Sequence, residues 1–151
     1  MKLAEALKER AELKKKIYQL SERLKDNAKV QEGELPAEDP KFLLEELDSA
    51  YDRLEYLIIA INHTNAIIQD GQDTLAKLLA RHDCLKKKIA ILREFLSSAS
   101  ELTFRMAKNE IKIKSSINVS EMTKKVDHLS EELRLLDLRI QQQNWIHDLI
   151  E

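Results

Sequence analysis

Apolar residues recur at alternating steps of three and four in four separate stretches of this chain. That spacing lets an α-helix present one continuous seam to a neighbour. The first seam is Leu3, Ala6, Arg10, Leu13, Ile17, Leu20 and Leu24, and the second is Leu47, Tyr51, Leu54, Ile58, Ile61, Asn65 and Ile68. The third runs through Leu75, Leu78, His82, Leu85, Ile89, Leu92 and Leu96, and the fourth through Met122, Val126, Leu129, Leu133, Leu136 and Ile140. They predict a mainly α protein, an antiparallel bundle of four long helices over about 2–29, 40–68, 74–98 and 119–150 within a single domain, 1–151.

The breaks between seams hold both glycines and both prolines of the chain. In "VQEGELPAEDP" Asp39 is placed to cap the second helix, with Pro40 at its first position, where the missing N–H costs nothing. "QDGQD" around Gly71 reads as a short turn, with Asp73 or Thr74 capping the third helix, and "NVSE" gives Asn118 a capping box with Glu121. Short connections make successive helices antiparallel neighbours. Helices one and two then pair Leu24 with Leu47, Leu20 with Tyr51, Ile17 with Leu54, Leu13 with Ile58 and Arg10 with Ile61. The stretch "ELTFRMAKNEIKIKSSINV" differs, because its apolar residues alternate. It reads as a short β-hairpin over 101–117 between helices three and four, with Ile111 and Ile113 on an apolar face, although a helical seam fits Leu102, Met106, Asn109 and Ile113 too. An isolated hairpin is marginal in water, so this ribbon should lie on the bundle or pair with another chain.

The run "YLIIAINHTNAII" interrupts a buried-looking segment with amides and an imidazole. Carried across the bundle, the seam register puts Arg10, His82 and Asn65 into adjoining layers near one end. The structural reading is a polar layer that fixes register or oligomer state, since a misaligned partner leaves a buried amide unpaired. The functional reading is a small pocket of Arg10, Asn62, Asn65, His82 and Asp83 able to hold a carboxylate or phosphate. Glu5, Glu9 or Asp83 could instead pair with Arg10 and make the cluster internal.

Several chemistries are argued against. His82, Asp83 and Cys84 are consecutive on a helix and cannot converge on one ion, and no Glu-x-x-His occurs, so no metal site is expected. Two separated glycines cannot build a phosphate loop. Cys84 reads as a small packed residue. No catalytic residues and no cofactor are expected, and the chain does not read as an enzyme. The basic runs Lys14–Lys16 and Lys86–Lys88 read as solvated faces, with Glu131 and Glu132 as ion-pair partners. With 25 basic and 27 acidic residues interspersed, no overall field attracts nucleic acid. One cysteine and a charged N-terminus suit a cytoplasmic setting, and the longest apolar run is far too short to span a bilayer. Beyond the paired part of helix four, Trp145, Ile146, Leu149 and Ile150 overhang; they form an interface or fold back over Leu3 and the Gly71 turn.

The segments "QEGELPAEDP", "INHTN", "ARHDCL", "EIKI" and "QQQNW" together resemble, in order and over nearly the whole chain, the septicolysin-like family of small bacterial proteins. The resemblance implies a largely helical protein with no established catalytic residues, under a label that suggests a cytolysin. His63 and His82 stand where many members are expected to carry arginine. The expected role is a self-associating interaction module, a dimer or larger homo-oligomer. The alternatives are a membrane-active protein and a binder of small anions at the polar layer.

Overall fold

The computed structural model describes residues 1–101 and 112–151. Helix α1 (Leu3–Asp26) leads to α2 (Pro40–Ile67), then a two-stranded hairpin β1 (Gln69–Asp70) and β2 (Asp73–Thr74), then α3 (Leu75–Ser100) and α4 (Val119–Ile146). The protein is thus mainly helical. Asp39 caps α2 through a bond from Lys41 N at 2.9 Å, ahead of Pro40. Asn118 Oδ1 accepts from Glu121 N at 3.2 Å and opens α4.

The segment expected as a turn around Gly71 is the hairpin. Gln69 pairs with Thr74 and Asp70 with Asp73, and Gly71 turns at φ 68°, the left-handed region that a side chain would strain. Asp73 and Thr74 therefore belong to a strand. The hairpin expected over 101–117 falls mostly on 102–111, outside the described residues, together with Ile111; the described flank 112–118 carries no strand.

The chain divides into two compact units, Met1–Leu75 with Gln142–Glu151, and Ala76–Gln141. The chain passes from one to the other at the start of α3 and within α4.

In the first unit α1 follows its predicted seam, with Leu3, Ala6 and Leu20 buried and Leu13, Ile17 and Leu24 half-buried. The α2 seam departs from expectation at every second position. Leu54, Ile61 and Ile68 are buried as predicted, but Ala50, Leu57 and Thr64 take the places assigned to Tyr51, Ile58 and Asn65. Tyr51 is 53% exposed. The slip has a physical cause: both choices give steps of three and four, and apolarity alone favours the larger side chains over Ala50 and Thr64. Small residues let the helices approach, so they win the interior. Leu20 consequently packs in one cluster with Leu43 and Ala50, rather than opposite Tyr51.

Ion pairs flank this seam in a ladder. Glu9 pairs with Arg53, Lys16 with Glu46, and Arg23 with Glu38. The step of seven from Glu9 to Lys16 up α1 matches the step of seven from Arg53 to Glu46 down α2, which is antiparallel heptad geometry with charges beside the core, and Arg23 reaches Glu38 just before α2 begins. The Glu9–Arg53 pair is bidentate, at 2.7 and 3.0 Å. It holds the Glu9 carboxyl below the ordinary glutamate range. Arg23 does the same to Glu38.

The C-terminal residues close the same unit. Leu3 N donates to His147 O at 3.0 Å, Leu149 N to Met1 O at 2.9 Å, and Lys2 Nζ pairs with Asp148 at 3.1 Å. Ile150 N donates to Thr64 Oγ1 at 2.9 Å. Helix α4 ends at Ile146 because the chain turns there to pair with residues before α1, so the tail is folded back. Leu149 and Ile150 are half-buried in consequence, while Trp145 and Ile146 stay mostly exposed.

Candidate functional site

The residues of the expected polar layer are divided between the two units. Arg10, Asn62 and Asn65 belong to the first unit, and His82 and Asp83 to the second. Asn62 and Asp83 are exposed, and Arg10, Asn65 and His82 are half-buried. The carboxylates nominated for Arg10 serve other groups: Glu9 holds Arg53, Glu5 accepts from Lys2 N at 2.8 Å, and Asp83 pairs with Lys87 at 2.9 Å. The buried polar residue of the "INHTN" run is Thr64, fully enclosed. Its hydroxyl donates to Ala60 O at 2.7 Å and accepts from Ile150 N. A hydroxyl can do both, so Thr64 satisfies the tail without a charge in the core. This answers the puzzle of that run with a structural role at the neighbouring position.

The second unit builds a different surface. On α3, His82, Lys86, Ile89 and Arg93 step by four, three and four, so they share one face. On α4, Ser130, Leu133, Arg134 and Asp137 do likewise. The two faces line a groove of about 510 Å³. Its floor is apolar, with Ile89 buried and Leu133 half-buried, and Lys86, Arg93 and Arg134 stand exposed at its edges. His82 Nε2 lies 3.3 Å from Asp137 Oδ1 at one end. At the other, Arg93 donates to Ser130 Oγ at 3.0 Å, while that hydroxyl donates to Val126 O at 2.8 Å.

The groove is therefore cationic at the edges and apolar below. Arg134 leans on Glu131 at 3.2 Å, Arg93 has a hydroxyl and no carboxylate, and among the described residues Lys86 has no ion-pair partner. Glu131 and Glu132, expected to neutralise Lys86–Lys88, are engaged on their own helix by Arg134 and His128. Such an arrangement can bind carboxylates by charge-assisted hydrogen bonds. It does not set out a hydrolytic triad: Ser130 stands two turns from Asp137, roughly 10 Å along α4, far from the His82–Asp137 contact.

The remaining expected residues are dispersed. Cys84 is free and exposed rather than packed. Ile113 is exposed. Among the described residues, no three His, Cys, Asp or Glu side chains gather to hold a metal, and no helix is long and apolar enough to cross a membrane. Arg93, Ser130 and Arg134 were the residues missed, and Lys86 was read only as part of a solvated face. The signal for them was present, since Lys86 and Arg93 flank seam residues 85, 89 and 92 at heptad spacing.

A family model described as a family of unknown function (DUF6847) matches residues 10–149. Among solved structures, the crystal structure of a functionally unknown conserved protein from Corynebacterium diphtheriae is 36% identical in sequence. It covers 99% of this chain and 99% of its own, with a TM-score of 0.93. No curated protein matches the chain.

Proposed function

The chain belongs to that family of unknown function, and we propose that it acts as a non-catalytic interaction module that self-associates. The observation that supports this is a second apolar line on α2. Leu44, Tyr51 and Ile58 follow one another at heptad steps, and Ile59 lies beside them, all exposed although the first line of α2 already fills the core. A helix with one seam inside and another outside has a face left over for a partner. The exposed thiol of Cys84 suits a reducing compartment and supports a cytoplasmic setting within this reading.

Light scattering behind a sizing column, at two protein concentrations, tests the reading. The expected mass is a multiple of the chain's 17.6 kDa, falling when Leu44 and Ile58 are both replaced by Glu. A 17.6 kDa species at both concentrations overturns it.

A second reading has the α3–α4 groove in its favour: Lys86, Arg93 and Arg134 line it as cations able to hold the anionic group of a small carboxylate or phosphate. Thermal stabilisation by inorganic phosphate or acetate, lost in Arg93→Ala with the fold intact, would support it. No stabilisation by either anion would remove it.

A further inference from the structure

The outer face of α2 carries more than apolar residues. Glu45, Asp48, Asp52 and Glu55 step by three, four and three, so they form one acidic stripe alongside Leu44, Tyr51 and Ile58. All four are exposed. Among the described residues none of the four has an ion-pair partner, although Glu46 between them pairs with Lys16 and Arg53 with Glu9.

The groove of the second unit has the opposite character at the same pitch. Lys86 and Arg93 are seven residues apart, as are Asp48 and Glu55, and seven residues of helix span about 10.5 Å. Between the groove's cations lie Ile89, Ala90 and Leu133, apolar where the α2 face offers Tyr51 and Ile58. Charge meets opposite charge and apolar meets apolar in both comparisons.

We propose that the α3–α4 groove receives the outer face of α2 from a second copy of this chain, with Asp48 and Glu55 set against Lys86 and Arg93. The proposal rests on the self-association reading and adds the receiving surface to it. A helix laid in a groove takes its affinity from the apolar contact, and the charges select alignment and speed encounter. The second copy is the chosen occupant because it carries the complementary stripe, at matching spacing, with its carboxylates uncommitted.

Charge reversal with mixing tests it. Lys86→Glu/Arg93→Glu reverses the groove, and Asp48→Lys/Glu55→Lys reverses the stripe; all four positions are exposed, so the helical circular dichroism of each should match the parent. The parent is expected at a multiple of 17.6 kDa and each reversed protein at 17.6 kDa alone. An equimolar mixture of the two should regain the parent's mass, because each groove then meets a stripe of opposite sign. Reversed proteins that assemble like the parent would overturn the groove assignment and leave self-association standing. A parent that is monomeric at both concentrations would overturn both. Assembly lost in each variant and not regained on mixing would also overturn the pairing of these two surfaces.

Discussion

The two units of this chain use the same heptad spacing and spend their flanking charges differently. In the first, ion pairs bracket the α1–α2 seam, Glu9–Arg53 and Lys16–Glu46 between the helices and Arg23–Glu38 at the residues leading into α2. In the second, the contacts that line the α3–α4 groove include His82 with Asp137 and Arg93 with Ser130, and Lys86 faces solvent. Charges that lock a register internally are unavailable to a partner. Charges left beside an open apolar floor are available, so the contrast separates a unit that fixes its own alignment from one that presents a surface.

The contrast assigns packing in both units to the seams, so core truncations should be alike. Leu20→Ala in the first unit and Ile89→Ala in the second remove side chains that are 0% and 2% exposed. Each should cost about 2–5 kcal/mol in chemical denaturation. An Ile89→Ala protein that loses under about 1 kcal/mol would show that the second seam is not packed like the first. The next effect is confined to the first unit. Thr64→Val keeps the shape but leaves Ile150 N without its acceptor, at a cost of about 1–2 kcal/mol. Faster amide hydrogen exchange at Leu149 and Ile150, with the α1–α2 core still protected, would locate the loss in the tail. Unchanged exchange there would mean that Thr64 does not anchor it.

How far these differences could be read beforehand depends on what distinguishes neighbouring residues. Helix positions, the Asp39 cap and three of the four seams follow from periodicity, because burial of large apolar side chains dominates the energy. The α2 seam was half legible. Its shared positions 54, 61 and 68 stand in either assignment, and the choice between Ala50 and Tyr51 turns on how closely two backbones approach, which no hydropathy pattern encodes. The tail was harder still. Its anchor is one hydroxyl, Thr64, reached from 86 residues away in sequence, and the neighbouring amides drew attention because they are more polar. The groove was hidden for another reason: a basic residue beside a seam looks the same whether its carboxylate lies across the helix pair or is held on its own helix, as Glu131 is by Arg134.

The third prediction probes the ladder. Arg53→Ala should cost about 0.5–1 kcal/mol near neutral pH, since both partners keep a third or more of their side chains in water and solvent screens the pair. The sign of its pH dependence follows from Glu9. Arg53 lowers that carboxyl's pKa in the folded state. The stabilisation is therefore present above the ordinary glutamate value and disappears as pH falls through the folded one. Parent and Arg53→Ala should converge in stability on acidification, and a gap that persists in acid would show that stacking of the guanidinium over the Tyr56 ring carries the effect.

The smallest expected effect is the sharpest on the contrast. Arg93→Ala removes a guanidinium that differs from Arg53 in having no carboxylate partner among the described residues, and Ser130 keeps its bond to Val126 O when Arg93 is gone. Chain stability measured on a dilute, unassociated sample should change by no more than about 0.5 kcal/mol, with no added pH dependence. If Arg93→Ala cost as much as Arg53→Ala, the second unit would be using its charges internally as the first does. A neutral Arg93→Ala leaves that cation with no part in holding α3 to α4. Its position beside Ile89 and Leu133 is then explained by what it offers to a carboxylate from outside the unit.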